Sequence, residues 1–134
     1  MILHAGLMAS YGSTGWRGVL ISGPSGAGKS DLALRMIEAG WRLVADDRTL
    51  IWISDGELYG RAPDLLAGRI EARGLGVVLD PALKYCAIQL SVADGVPERI
   101  PREAQTTYLG LRLPHLVLPL LEVSSLAKIS RALR

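Results

Sequence analysis

The sequence predicts an α/β fold, and three observations carry that prediction. A short continuous apolar run at residues 19–22 is followed by a glycine-rich turn, and then by an apolar stripe at helical spacing over residues 29–39. A second short apolar run at residues 43–45 comes next, so residues 19–45 compose a strand–loop–helix–strand unit. The chain's 134 residues are 49% hydrophobic, which suits one compact core.

Residues 1–7 predict a first strand, and residues 10–18, rich in Gly, Ser and Thr, a loop. The run at 19–22 has the unbroken apolar character of a strand buried on both faces. In the helix over 29–39, Leu32, Ala33, Met36 and Ile37 share one face, and Gly40 is placed to stop it. The strand at 43–45 ends at Asp46-Asp47. Residues 50–53 and 57–59 flank Asp55-Gly56, a two-residue hairpin signal. Residues 63–67 predict a helical turn, 69–76 a segment bearing Gly and charge, and 77–79 a strand. Ile88, Leu90 and Val92 alternate with Gln89 and Ser91, which predicts a half-exposed strand over 87–92. Residues 94–107 are polar and predict a loop or excursion, and residues 116–123 a strand. Ser124 or Ser125 is placed to cap a last helix whose face is Leu126, Ile129 and Leu133.

Composition narrows the classes of function. Fifteen Lys and Arg against thirteen Asp and Glu give a net charge of +2, too balanced to indicate a nucleic-acid binder. Lys29, Lys84 and Lys128 are the only lysines, so a lysine inside a motif stands out. Cys86 is the only cysteine, which excludes an internal disulfide and fits the cytoplasm. Its ordinary reading is a small buried hydrophobe. No signal peptide is evident, and no apolar run approaches the ~20 residues that span a bilayer. Without a repeat or a low-complexity linker there is no domain boundary to draw.

The chemistry is concentrated in one motif. Gly23-Pro24-Ser25-Gly26-Ala27-Gly28-Lys29-Ser30 matches G-x-x-x-x-G-K-[ST] in full. Its glycines let successive backbone N–H groups turn toward phosphate oxygens without side chains in the way. Lys29 would reach the β- and γ-phosphates, and Ser30 would offer its hydroxyl to Mg²⁺. The helix that follows points its positive end at the same anions. The strand before the motif and the helix after it are the context this pattern requires.

Asp46-Asp47 ends the strand after that helix, on the binding side of an α/β sheet. Two adjacent carboxylates there can serve a metal and a general base that takes a proton from an incoming hydroxyl. Asp80, at the end of Gly76-Val77-Val78-Leu79, is a competing metal-associated acid, and spacing alone does not choose between them. His4, near the terminus, is a candidate catalytic or phosphate-contacting group, although a lone His there is more often an ordinary surface or core residue, and His115, between Pro114 and Leu116, has no supporting context. Glu71 and Arg73, two apart, fall on one side of an extended segment.

Three segments together resemble a known family. Residues 18–30, then Arg42-Leu43-Val44-Ala45-Asp46-Asp47-Arg48, then Ile70-Glu71-Ala72-Arg73-Gly74-Leu75-Gly76, are similar in order and spacing to HPr kinase/phosphorylase. The resemblance covers residues 3–80 well and the remainder loosely. It implies a single kinase domain of the HPr kinase/phosphoenolpyruvate carboxykinase-like type, with a mixed central sheet and flanking helices over residues 1–134. It implies ATP and Mg²⁺ as cofactors and the serine of an HPr-like phosphocarrier as acceptor, with reversal by inorganic phosphate in many members. By motif, residues 23–30 bind the nucleotide, Ser30 and Glu71 hold Mg²⁺, and Lys29 neutralises the transferring group. Asp47 is the base, with Asp46 beside it. His4 matches the family's His on the strand before the loop, and Arg99, in Glu98-Arg99-Ile100, matches a family Arg after the late strands. The resemblance also implies a homo-oligomer, the family assembling as hexamers.

The departures are informative. No N-terminal domain is expected here, as in the short form found in alphaproteobacteria. The family's basic segment linked to the phosphorolytic direction corresponds to residues 118–125, where the basic character is gone, so the kinase direction is the expectation. Two other readings compete: a small-molecule kinase or NTPase with Asp80 at the metal, its lid served by Arg99, Arg102 and Arg112, and a nucleotide-sensing module without turnover.

Overall fold

The structure, a computed structural model, describes residues 1–99 and 104–134. Among the described residues, eleven strands and two helices follow one another as β1 (Ile2–Leu3), β2 (Ala5–Gly12), β3 (Gly15–Ser22), α1 (Lys29–Glu38), β4 (Arg42–Ala45), β5 (Thr49–Ser54), β6 (Glu57–Arg61), β7 (Arg69–Ala72), β8 (Gly76–Leu79), β9 (Cys86–Asp94), β10 (Ala104–Tyr108), β11 (Leu111–Leu118) and α2 (Ser124–Leu133). A 3-10 turn, Asp64–Leu66, lies between β6 and β7.

Nine strands form one mixed sheet in the order β1-β5-β6-β9-β3-β2-β4, with the β10–β11 hairpin joined through β11 to β9. β9 runs parallel to β3 and to β11, whereas its first residues pair antiparallel with β6. β7 and β8 make a separate antiparallel pair. The expected α/β class and mixed sheet with flanking helices are both present.

Alternation along the strands sends side chains to two cores. On one face Met8, Val19, Ile21, Leu43, Leu90 and Val92 meet Leu32, Ala33 and Met36 of α1 and Ile129 and Leu133 of α2. On the other, Leu7, Ala9, Leu20, Val44 and Ile88 meet Ile51, Leu58 and Leu113. Burying each such leucine, isoleucine, valine or methionine side chain contributes about 1.5–3 kcal/mol against leaving it in water. Cys86 lies in the second core, as expected, and burial pushes its thiol up to about 11.

A bulge in β9 explains why its alternation misleads. Gly18 pairs with Ile88 but Val19 pairs with Leu90, so Gln89 is a surplus residue. One extra residue exchanges the faces: Ile88 enters one core and Leu90 and Val92 the other. Ser91 is fully buried, so β9 is a central strand and not a half-exposed one. Its hydroxyl lies 3.1 Å from His115 Nδ1 on β11.

Other elements differ in extent. The expected loop at 10–18 is mostly a β2–β3 hairpin. Tyr11 pairs with Trp16 across it, ring centroids 5.1 Å apart, and Gly15 at φ 96° makes the turn. Aromatic cross-strand contact outweighs the Gly and Ser content there. Residues 69–79, read as a segment and a strand, are the β7–β8 pair. The strand expected at 116–123 is instead β11, which ends at Leu118, one residue before Pro119. Of the excursion expected at 94–107, residues 104–107 belong to β10, while residues 100–103, and with them Arg102, lie outside the described residues. Helix α2 has no side-chain cap; Ser125 turns its hydroxyl to the Pro119 carbonyl instead. By contrast α1 runs as its spacing predicts, and Asp55 and Gly56, at φ 50° and 74°, make the expected hairpin turn.

Candidate active site

The glycine-rich loop leaves β3 and re-enters the chain as α1, so it lies between the strands that flank β3 in the sheet. The Ala27 N–H donates to the Pro24 carbonyl at 3.1 Å, closing a turn. Gly26 and Gly28 hold φ 85° and 102°, a region that side chains strongly disfavour. The first helical hydrogen bond runs from the Leu32 N–H to the Gly28 carbonyl at 2.9 Å. Ser25, Gly26 and Gly28 of the loop and Lys29, Ser30 and Asp31 at the start of α1 line a cavity of about 650 Å³. Its lining also includes the acids Asp46, Asp47 and Glu71, and Leu121 from the chain's last third.

Asp46 and Asp47 reach this cavity because β4 lies two strands from β3 and ends in a tight turn. The Arg48 N–H donates to the Asp46 carbonyl at 2.8 Å, with Asp47 between them at φ 67°. This is a γ-turn of the rarer, strained hand. It points the two neighbouring carboxylates at different partners.

Asp47 is surrounded by cations. Its Oδ1 accepts from His4 Nε2 at 2.7 Å and lies 3.5 Å from Lys29 Nζ, and its Oδ2 accepts from Arg48 at 2.7 Å. Burial alone would raise its pKa, but the His4 hydrogen bond and the charges of His4, Lys29 and Arg48 outweigh it and hold the carboxyl below its ordinary value. Because His4 Nε2 donates to Asp47, it is not free to accept from Lys29 Nζ, 3.4 Å away. Lys29 instead donates to the Gly23 carbonyl at 2.7 Å, folding back over its own loop.

Asp46 is the structural partner. It accepts from Ser30 Oγ on one oxygen and from the Glu71 N–H on the other, each at 3.0 Å. Burial raises its pKa most, the two hydrogen bonds lower it, and the charges of Asp47 and Glu71 raise it again, with a net upward shift. Asp46 thus ties the loop, β4 and β7 together. His4 is set by the bend between β1, which pairs with β5, and β2, which pairs with β3. The Thr49 hydroxyl, buried and 2.8 Å from the Ala5 carbonyl, fixes that crossing.

The residues singled out in the sequence converge in part. Residues 25–26 and 28–30, Asp46, Asp47, Glu71 and Arg73 line one cavity, and His4 touches Asp47 at its edge. Arg99 is exposed and is not among the residues lining the cavity, nor is Asp80, which follows β8 and donates its N–H to the Gly68 carbonyl. No group of three or more His, Cys, Asp or Glu side chains is arranged to hold a metal among the described residues. Arg48, Arg35 and Leu121 were not singled out. Arg48 had a signal, since it adjoins the acid pair; the other two had no local one.

A glycine-rich loop with its lysine, opening onto a paired-acid wall at a strand end, is the arrangement of a phosphate-loop α/β domain. The family model for the HPr Serine kinase C-terminal domain matches residues 1–85. The chain belongs to that family. The HPr kinase/phosphorylase of Clostridium perfringens is 46% identical over 76 residues, which are 57% of this chain and 24% of that protein. That of Clostridium beijerinckii is 51% identical over 61 residues, 46% of this chain and 20% of that one. The chain therefore spans about a quarter of the length of the curated relatives it matches. The solved HPr(Ser) kinase/phosphatase of Coxiella burnetii has a TM-score of 0.80 at 26% identity, covering 99% of this chain and 87% of that one.

No described helix is long and apolar enough to cross a membrane.

Proposed function

We propose that this chain phosphorylates a serine hydroxyl of an HPr-like phosphocarrier protein, with ATP as phosphoryl donor and Mg²⁺ as metal. Besides the family, one observation carries this reading: the Asp47 carboxylate stands between His4 and Lys29, at the edge of the cavity that the phosphate loop lines.

In this mechanism the loop amides of residues 23–30 and the start of α1 hold the phosphates. Lys29 leaves the Gly23 carbonyl and neutralises charge on the transferring group. Asp47, whose pKa is held low by the His4 hydrogen bond and by Lys29 and Arg48, orients the serine hydroxyl and takes its proton as the oxygen bonds to the γ-phosphorus and the bond to the leaving diphosphate breaks. His4 orients Asp47. Ser30 and Glu71 would hold the metal with oxygen ligands, the chemistry a hard divalent cation prefers, and both line the cavity with Asp46, which bonds the Ser30 hydroxyl and the Glu71 backbone N–H. Mg²⁺ bound there would offset phosphate charge. It would also offset the repulsion of Glu71 and Asp47 that helps raise Asp46. Arg99 enters this scheme through the resemblance alone.

The proposal extends to a homo-oligomer in the cytoplasm, a hexamer as in the family, built on one domain over residues 1–134 and without nucleic-acid or membrane partners. The kinase direction is preferred because residues 118–125 lack basic side chains.

The test is phosphotransfer from labelled ATP to HPr-like proteins, with mass spectrometry locating the modified residue. Asp47→Ala should bind nucleotide with little change yet transfer about 10²–10⁴-fold more slowly. Undiminished serine labelling by that variant removes Asp47 from the role, and labelling of a metabolite in place of a protein removes the protein acceptor.

A further inference from the structure

We infer that Leu121 is the nucleoside-contacting wall of the phosphate-loop site; the inference rests on the nucleotide reading above. Leu120 and Leu121 are adjacent but opposite in environment: Leu120 is fully buried, whereas Leu121 is 62% exposed and lines the cavity. An exposed leucine beside a phosphate-binding loop has an apolar surface with nothing anionic to do.

Its position is set by the backbone on both sides. Arg35 donates to the Leu120 carbonyl and, at 3.1 Å, to the Glu122 carbonyl. Asp94 accepts from the Leu120 N–H at 3.1 Å, and the Gly95 N–H donates to the Leu118 carbonyl at 3.1 Å. These contacts fasten residues 118–122 to α1 and to the end of β9. Leu121 thereby lies against Gly28: a Cβ placed on that glycine would fall 2.5 Å from Leu121 Cδ2.

Two independent placements put Leu121 at the nucleoside end. In the sheet, β4 brings the acids from one side of β3, and β9 and β11 bring Leu121 from the other. On α1, Ser30 faces Asp46 while Arg35 faces residues 120 and 122. Five residues apart on a helix is a rotation of about 140°. The lysine of such a loop reaches the β- and γ-phosphates, and Lys29 lies near Asp47. The terminal phosphate therefore belongs to the acid side. The nucleoside leaves on the opposite side, where Leu121 and the Asp31 turn of α1 line the cavity.

Titration calorimetry of the full chain with ADP and with inorganic tripolyphosphate, both with Mg²⁺, separates nucleoside contact from loop support. Leu121→Ala should weaken ADP by about tenfold and leave tripolyphosphate unchanged, and Leu121→Met should recover most of the ADP affinity. Equal losses for both ligands would make Leu121 a prop for the loop and overturn the inference while sparing the nucleotide reading. Unchanged ADP affinity in Leu121→Ala would overturn it as well. A wild-type chain that binds neither ligand would overturn the nucleotide reading and this inference with it.

Discussion

On its β4 flank the phosphate loop meets carboxylates held by charged neighbours; on its β11 flank it meets a leucine held by main-chain carbonyls and amides. The first flank is assembled from residues within the first half of the chain, 4–71, and its order is electrostatic. The second joins α1 to a segment more than eighty residues later through one guanidinium. The contrast teaches that the charged flank depends on which groups are present, and the apolar flank on where the backbone is pinned. Substitutions on the two should therefore fail differently.

Gly28→Ala acts where both flanks meet, and its effect should be the largest of this set. Gly28 sits at φ 102°, and a Cβ there collides with Leu121. The backbone term alone is about 1–3 kcal/mol, so urea unfolding should show a loss of that size together with lost nucleotide binding. Adding Leu121→Ala should recover little stability, because a leucine side chain can give way and the backbone cannot. Full recovery in the double variant would assign the cost to the contact.

Arg35→Ala should destabilise by roughly 1–2 kcal/mol, from the backbone hydrogen bonds it removes. Hydrogen exchange should then quicken at residues 119–123 while the amides of β4 stay as protected as before. Loss of protection at β4 as well would show that the flanks are not independent.

His4→Ala should have the smallest effect, on pH dependence. Asp47 is ionised above a pKa held below its ordinary value, so a rate that needs the carboxylate falls only when pH drops through that lowered value. Removing His4 removes a hydrogen bond and a charge that lower it, so the acid limb of the phosphotransfer profile should move to higher pH. An unmoved limb would mean that Lys29 and Arg48 suffice.

The same contrast decides what could be read from the chain before its fold was known. The loop, α1, the Asp55-Gly56 hairpin and the acid pair are short-range patterns, each with a local physical cause. The metal role of Glu71 comes only from its family motif, and its link to Asp46 runs through its backbone N–H, which carries no side-chain signature. Leu121 was hidden inside an apolar run that looked like a strand, although Pro119 interrupts it; its place beside the loop depends on Arg35 and Asp94, which are remote in sequence. The β9 bulge was invisible for a similar reason: Ile88, Leu90 and Val92 keep perfect alternation in sequence, and only pairing with β3 reveals Gln89 as surplus. The convergence of His4 on Asp47 needed β1 and β5 to pair first.

Asp47 occupies a left-handed backbone position inside a three-residue turn. Glycine, asparagine and aspartate tolerate that conformation best among the amino acids. Of these, only aspartate can carry a proton away from an alcohol. Glutamate keeps the acid but suits the conformation less and sets the oxygens one methylene further out. Under the proposed base role, the main chain therefore narrows the candidates for this position before chemistry does, and aspartate passes both filters.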